Sequence, residues 1–203
     1  MKSRNRLFED GQRDSRWFDA IETQLAEFGT AIAAARVEIV HLLSGMMDQL
    51  PEDGAFPKAD LALDGILEGM LYSGINASDV EDQYRAMLSA NRPRDAAAGR
   101  TLDGPHRSDL IVMHRPKAMP AGLSSTGEQK ALLVGIVLSH ARLVARMTGS
   151  APILLLDEIA AHLDAGRRQA LFGIIDDIGS QAFMTGTDRA LFVALEGRAE
   201  FVL

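Results

Sequence analysis

The chain has 203 residues, of which 47% are hydrophobic and 24% are charged, the composition of an ordinary globular protein and not of a disordered one. It contains no cysteine, which excludes disulfide bonds and thiolate metal sites and fits a reducing compartment. The formal net charge is −7, which argues against strong nucleic-acid binding by the chain in isolation.

Neither secretion nor membrane insertion is indicated by the sequence. The first four residues are not followed by an apolar stretch, so we expect no signal peptide. The longest strongly apolar run, Ala131 to Leu138, is much shorter than a bilayer-spanning helix. We therefore expect a cytoplasmic protein without membrane contact. The basic clusters at 4–16 and 92–107 are interpreted as solvated surface charge.

The first predicted element is a long helix between Asp14 and Leu50. Apolar residues recur there at steps of three and four, which is the spacing of an amphipathic or coiled-coil-like helix. Asp14 or Ser15 can cap its start, and Pro51 marks its end. This apolar stripe predicts a packing surface and not a cofactor site.

A second helix is predicted after a turn-rich stretch of short elements at 51–77. Ser78 and Glu81 form a capping box ahead of it, and Arg92-Pro93 marks its end. The pattern of elements changes after this point. We therefore predict a boundary at about residue 92, which separates a helical segment, 1–92, from a segment at 93–203.

The second segment alternates strands and helices, which predicts an α/β fold. Ile153 to Leu156 are apolar at every position, which suits a central parallel strand buried on both faces. Asp164 caps the helix that follows, and Gly179 ends it. The other predicted elements here are strand pieces within 100–114, a helix at 126–147 and strands at Gln181–Thr185 and Glu200–Leu203, the last of which lies partly outside the described residues.

Two acidic residues directly follow the apolar strand. In open α/β sheets, ligands bind beyond the carboxyl ends of the strands, where Asp157 and Glu158 would lie. Asp157 could hold a Mg²⁺ ion, directly or through water, and Glu158 could orient or deprotonate an attacking water. The alternative is an ordinary strand followed by solvent-exposed acids.

The start of the helix at 126–147 is a second candidate site. Ser125 and Glu128 form a capping box, which by itself indicates only a well-capped helix. Backbone amides and the helix dipole at such a start also favour a bound phosphate, and Gly127 permits close approach.

The order of these motifs resembles the C-terminal half of ABC-type ATPases of the SMC and RecF group. Ser125 to Glu128 match the signature motif, with Thr126 in place of the usual first glycine. Asp157 and Glu158 match the Walker B motif. The D-loop is matched by Ala160-Ala161-His162-Leu163-Asp164, and the resemblance implies that Asp164 reaches across a dimer.

Three further stretches narrow the resemblance to the RecF family: Gly99 to Leu110, Lys130 to Leu133, and Thr185 to Asp188. The resemblance implies a helical arm and lobe (lobe II-like) at 1–92 and the C-terminal half of an ABC-type ATPase sheet, with flanking helices, at 93–203. It further implies ATP binding, dimerisation around ATP, and association with gapped or junction DNA. It also implies joint action with RecO and RecR in loading the RecA recombinase.

Four residues of these stretches have open interpretations. His106 and Arg107 can contact nucleotide or DNA, or can form a turn with surface charges. Thr185 and Thr187 stand where ABC transporters carry a switch histidine, so they can contact nucleotide or DNA. His162 is interpreted as structural, and no His/Asp/Glu cluster shows the ligand spacing of a protein metal site.

No G-x-x-x-x-G-K-[ST] sequence, the Walker A motif that cradles phosphates and binds Mg²⁺, occurs in these residues. We therefore expect ATP and Mg²⁺ only with a complementary Walker A half, and no ATP hydrolysis by the chain alone. The expected partner is that N-terminal half or a second copy of the chain. Without that half, part of the apolar surface is left exposed, which predicts marginal stability or oligomerisation. The alternatives are a non-catalytic dimerisation module derived from such an ATPase and a transporter subunit, which the missing histidine disfavours.

Overall fold

The computed structural model describes residues 1–12, 14–51 and 54–201 and shows a mixed helix and strand architecture. Its helices are α1 (Lys2–Glu9), α2 (Ser15–Asp48), α3 (Ile66–Tyr72), α4 (Ala77–Ala90), α5 (Arg92–Ala97), α6 (Thr126–Thr148) and α7 (Ala165–Ile178). Its strands are β1 (Ala59–Asp64), β2 (Asp109–His114), β3 (Met119–Pro120), β4 (Leu154–Leu156) and β5 (Ala182–Met184). Short 3₁₀ helices lie at Pro105–Arg107, Arg115–Lys117, Ala121–Leu123, Ile159–His162 and Arg189–Leu195.

The strands form two small sheets. One has the order β1-β2-β3, and β2 pairs antiparallel with β3. In the other, β4 pairs parallel with β5, with Leu154 opposite Ala182 and Leu156 opposite Met184. Parallel strands end at the same edge of a sheet, so the residues that follow β4 and β5 come together.

Internal contacts divide the chain into two compact units. One consists of Met1–His41 and Ala62–Ile111, and the other of Leu42–Leu61 and Val112–Leu203. The helix α2 and the strands β1 and β2 contribute residues to both units. None of these limits falls at residue 92, and the domain boundary there stays a prediction.

The first unit is organised around a buried arginine. Arg4 is completely buried and donates hydrogen bonds to Glu22 (2.8 Å), to Asp95 (2.7 Å) and to the hydroxyl of Thr101 (2.8 Å). Its remaining nitrogen donates to the carbonyl of Leu88 at 2.7 Å. Because a buried charge is tolerated only when it is paired and hydrogen-bonded, these contacts join α1, α2, α4 and α5.

The core of the second unit lies between α6, α7 and the parallel sheet. Leu138 of α6, Leu171 of α7 and Leu156 of β4 belong to one buried cluster. Phe56 joins them from the segment before β1. A side chain at Gly135 would begin 3.3 Å from the Cβ of Phe56, so the glycine permits this close packing.

Most predicted helices are confirmed, with one correction at the start of α4 and one further helix, α5, that was not predicted. The long helix is the continuous α2, Asp164 caps α7, and Gly179 ends α7 in a left-handed conformation. The cap of α4 is Asn76, which accepts a hydrogen bond from the amide of Asp79, so the predicted cap at Ser78 is wrong. The chain also continues into α5 after residue 91, because a proline is tolerated in the first turn of a helix.

The predicted strand at 153–156 is parallel, as expected, but it is not buried on both faces. Leu154 and Leu156 are buried, whereas the side chain of Leu155 between them is 78% exposed. Phe183, opposite Leu155 in β5, is 56% exposed. One face of this sheet is therefore apolar and uncovered in the structure.

Two helices, α2 and α6, are long and apolar enough to cross a membrane by length and composition alone. The core helix of a soluble protein passes the same test. Buried residues occur along α6 from Ala131 to Leu143, which is the pattern of a core helix.

Candidate functional site

The two acidic residues after β4 meet a threonine that follows β5. The hydroxyl of Thr185 donates a hydrogen bond to the carboxylate of Asp157 and accepts one from the amide of Glu158 at 2.9 Å. The amide of Thr185 donates to the carbonyl of Leu156 at 3.2 Å, which extends the pairing of the two strands. The structure therefore brings three of the predicted site residues together at one sheet edge.

Glu158 adopts a backbone conformation that is uncommon for a residue with a side chain. Its φ and ψ are 49° and 15°, in the left-handed helical region. This conformation disfavours an L residue by roughly 1–2 kcal/mol, and the hydrogen bond from its amide to Thr185 helps to hold it. The carboxylate of Glu158 is exposed and has no hydrogen-bond or ionic partner among the described residues, so it remains available to a water or a ligand.

The start of α6 is capped as predicted. The amide and the hydroxyl of Ser125 donate to one carboxylate oxygen of Glu128 at 3.1 and 2.9 Å. The other oxygen lies 2.5 Å from the amino group of Lys117. Lys117 first, and Ser125 second, lower the pKa of Glu128 to about 2, so this carboxylate is ionised at neutral pH.

Two backbone amides at the start of α6 remain without a hydrogen-bond partner among the described residues. The first bond inside the helix runs from the amide of Gln129 to the carbonyl of Ser125 at 2.9 Å, and the amide of Glu128 bonds the side chain of Ser125 in the capping box. The amides of Thr126 and Gly127 are the unpaired donors of this helix end. Nothing lies within 4 Å of the position of a Cβ on Gly127, so a ligand can approach the backbone there.

The predicted D-loop is a 3₁₀ turn, Ile159–His162, followed by the cap of α7. The carboxylate of Asp164 accepts a hydrogen bond from the amide of Arg167 at 2.9 Å and lies 3.7 Å from its guanidinium. The hydrogen bond from the Arg167 amide is the main cause that lowers the pKa of Asp164. Both Asp164 and His162 are exposed.

Gly186 and Thr187 lie beside Thr185 at the border of an open cleft of about 380 Å³. A side chain at Gly186 would begin 2.6 Å from the ring of Phe192, so only glycine fits there without rearrangement. The guanidinium of Arg189 lies over the ring of Phe201, 4.8 Å from its centroid, in the wall of the same cleft. The cleft therefore combines hydroxyl, cationic and aromatic groups.

His106 and Arg107 belong to the other compact unit, on a well-anchored loop. The guanidinium of Arg36 donates to the carbonyl of Pro105 at 2.5 Å, and Nε2 of His106 lies 3.1 Å from the carbonyl of Thr101. The guanidinium of Arg107 is exposed and has no partner among the described residues. This loop presents one arginine to solvent on a rigid support.

The predicted residues form separate groups. Within the described ranges, no hydrogen bond or ion pair joins the start of α6 to Asp157 or Glu158. The same ranges contain no group of three or more His, Asp or Glu side chains that could hold a metal ion. A Mg²⁺ ion at Asp157 would therefore depend on oxygen atoms from a bound nucleotide or water.

Two contacts of the site were not predicted from the sequence. Lys117 pairs with Glu128 across a gap of eleven positions, and no local pattern indicates this ion pair. Arg168 donates to the carbonyl of Leu163 at 2.6 Å and reaches that of Ala160 at 3.5 Å. The only signal for Arg168 is its place one turn after the predicted cap, Asp164.

Comparison with known sequences gives high similarity to one group of proteins. The chain is 66% identical to the DNA replication and repair protein RecF of Mesorhizobium japonicum, over 100% of this chain and 53% of the relative. It is 64% identical to that of Brucella abortus and 58% identical to that of Rhizobium etli, in each case over 99% of this chain. No protein-family model matches the chain. The chain thus spans about half the length of the curated relatives it matches.

Comparison with solved structures agrees in fold. A structure of the recombination mediator protein RecF-ATPrS in the RecFOR pathway superimposes with a TM-score of 0.76 at 20% identity, over 92% of this chain and 50% of that one. A structure of RecF-ATP in the same pathway gives a TM-score of 0.73 at 21% identity. The mixed helix and sheet fold of the chain is therefore that of about half of these RecF structures, which confirms the predicted α/β fold.

Proposed function

We propose that this chain, which corresponds over its whole length to the C-terminal portion of RecF proteins, provides the signature, Walker B and D-loop elements of an ATP-dependent DNA-repair protein. The observation that carries the proposal is the hydrogen bonding of Thr185 to Asp157 and Glu158 at the carboxyl edge of the parallel sheet. This edge is where α/β proteins bind their ligands.

The three residues at this edge have different proposed roles. ATP would supply the phosphoanhydride bond that is hydrolysed, and Mg²⁺ would neutralise the charge of its phosphates. Asp157 would hold the metal, directly or through a water, with the carboxylate oxygen that Thr185 leaves free. Glu158, whose carboxylate has no partner in the described ranges, orients the attacking water and accepts its proton. Thr185 keeps both acids in place through its hydroxyl, and Thr187 borders the adjoining cleft.

The start of α6 and Asp164 serve a composite site. The amides of Thr126 and Gly127 bind phosphate oxygens of a nucleotide carried by another subunit, as helix starts favour anions, while Ser125 and Glu128 cap the helix that presents them. The carboxylate of Glu128 bonds Ser125 at the same helix start, and the ammonium group of Lys117 offsets its negative charge there. Asp164 is exposed at the helix cap and reaches the same interface.

A complementary N-terminal half, with the Walker A motif, is the proposed partner of the uncovered apolar face. That face carries Leu155 and Phe183 of the sheet together with the exposed Ile153. Leu133 and Val137 of α6 are also exposed and apolar. The exposed apolar residues of the sheet face mark an interaction surface.

The test is ATP turnover by the chain alone and after addition of an N-terminal RecF-type half. We expect turnover only in the mixture, and we expect Glu158→Gln to abolish it while leaving the midpoint of ATP binding unchanged. Glu196→Gln, which alters an exposed acid outside the site in the same unit, is the matched control. Robust Glu158-dependent turnover by the chain alone would contradict the proposal.

DNA association is proposed for the complete assembly, in the cytoplasm, with gapped or junction DNA and with RecO and RecR as partners. Arg107 is the proposed contact to a phosphate, because it is exposed, unpaired within the described ranges and carried by an anchored loop. The acidic net charge of the chain is consistent with a local contact and not with a broad basic surface.

Fluorescence anisotropy with a gapped duplex tests this contact in the assembled protein. Replacing Arg107 by alanine should weaken binding and reduce the salt dependence of the affinity by about one unit of slope. Arg146→Ala removes another exposed arginine and should change neither quantity. Equal effects of the two substitutions would refute a specific role for Arg107. Any effect of His106→Ala on DNA affinity would then be ascribed to the loss of its contact with Thr101 in the loop.

The second candidate function is a non-catalytic dimerisation module. The exposed apolar face favours it, because that face can bind a second copy as well as a missing half. Sedimentation of the chain alone distinguishes the two: a stable dimer that neither binds ATP nor responds to the N-terminal half supports the module.

A further inference from the structure

Arg168 lies on the first turn of α7 and contacts the segment that connects Glu158 to Asp164. Its Nη1 donates to the carbonyl of Leu163 at 2.6 Å and approaches that of Ala160 at 3.5 Å. Ala160 is the second residue of the 3₁₀ turn, and Leu163 directly follows the turn. One guanidinium thus spans this connecting segment.

The carbonyls at the end of a short helix need outside partners. The turn has only four residues, Ile159–His162, so its own hydrogen bonds cannot satisfy its last carbonyl groups. A cation at the carboxyl end of a helix is also favoured by the helix dipole. Arg168 supplies both the donors and the charge.

The helix that carries Arg168 is a firm support. Leu171 and Phe172, in the next turn of α7, are buried in the core. The backbone amide of Arg168 donates to the carbonyl of Asp164 at 3.0 Å, so the same helical turn holds the cap residue. A displacement of the segment would therefore have to break contacts with a fixed element.

Its neighbour Arg167 acts elsewhere. The Nε of Arg167 donates to the carbonyl of Ala55 at 3.1 Å and lies 3.7 Å from the carboxylate of Asp164. It makes no hydrogen bond to the 3₁₀ turn among the described contacts. The stabilisation of the turn therefore belongs to Arg168 alone of these two arginines.

We propose that Arg168 is the positioning residue of the 158–164 segment, which it fixes through the carbonyl oxygens of Leu163 and Ala160. It thereby sets the places of Glu158 at one end and Asp164 at the other. The catalytic part of this inference rests on the proposed function, in which both residues line a composite ATPase site. The structural part, the clamp on the turn, does not depend on it.

The clamp is tested first by hydrogen–deuterium exchange of the chain alone. Arg168→Met should speed exchange of the amides at 159–166, and Arg168→Lys, which can still donate to Leu163, should restore much of the protection. Arg198→Met removes an exposed ion pair with Asp176 in the same unit and is the control. Unchanged exchange in Arg168→Met would overturn the proposal. If Arg168→Met does not fold, exchange at the wild-type rate in Arg168→Lys would support the proposal.

The positioning role is tested next by turnover in the assembly with an N-terminal half. We expect Arg168→Met to lower kcat by roughly tenfold to a hundredfold, as for a misplaced reacting group, with KM for ATP nearly unchanged. Arg168→Lys should recover part of the loss, and Arg198→Met should behave as wild type. Faster exchange together with unchanged kcat would refute the positioning role. No turnover by the wild-type assembly would refute the proposed function, and the exchange experiment would still decide the clamp.

Discussion

The left-handed conformation of Glu158 predicts an inverted order of stability for two simple substitutions. At an ordinary position, glycine is less stabilising than alanine by about 0.5–1 kcal/mol, because its unfolded chain has more freedom. At Glu158 the φ of 49° disfavours any residue with a Cβ by roughly 1–2 kcal/mol. The difference leaves Glu158→Gly more stable than Glu158→Ala by about 1 kcal/mol.

Urea unfolding measures this difference directly. With a slope of about 2 kcal/mol per molar urea, the midpoint of Glu158→Gly should lie about 0.5 M above that of Glu158→Ala. The same pair of substitutions at Glu196, whose φ is −57°, should show the ordinary order, with alanine the more stable. An alanine variant at 158 that is as stable as the glycine variant would show that Glu158 is not held in the left-handed region.

Three other predictions concern residues outside the sheet edge. Arg4→Met removes one cation from the buried carboxylates of Glu22 and Asp95, which keep Arg92 and Arg94 as partners, and should lower the free energy of unfolding by about 3 kcal/mol. Arg6→Met, at an exposed pair, should change it little in the same urea titration. Folding lowers the pKa of Glu128 to about 2, so its ionised carboxylate stabilises the folded chain at pH values above the pKa that Glu128 has in the unfolded chain. This stability is lost as pH falls towards about 2. The melting-temperature difference between wild type and Glu128→Gln should therefore shrink from pH ~6 to pH ~3. Gly104 has a φ of 135° and no room for a Cβ, so Gly104→Ala should melt at a lower temperature than Gly11→Ala, where φ is also positive but nothing lies near.

Local sequence patterns predicted the helices well where the pattern reflects the interactions that form the helix. Apolar spacing and flanking caps identified α2, α6 and α7, because these helices bury one face and begin at residues whose side chains accept backbone hydrogen bonds. The cap of α4 was misplaced by two residues, since both Asn76 and Ser78 are good caps and the choice between them depends on packing. The continuation through α5 was missed because a proline ends one helix and begins another equally well.

The candidate site was predictable in its residue types and not in its contacts. The order of the acids, the capped helix and the D-loop is visible along the chain, and the family resemblance rests on it. The hydrogen bonds of Thr185 to Asp157 and Glu158 join residues 27 and 28 positions apart, so they depend on the parallel pairing of β4 with β5. The pair of Lys117 with Glu128 likewise depends on tertiary structure.

The exposure of Leu155 links the error in the strand prediction to the proposed function. A strand that is apolar at every position is stable in water only if both of its faces are covered. Here one face is covered by the core, and Leu155 and Phe183 lie open on the other. Complete burial of a large apolar side chain is worth about 1.5–3 kcal/mol. Because the open residues adjoin the edge that carries Asp157 and Glu158, the proposed partner that covers them would stabilise the fold and complete the proposed nucleotide site in a single association.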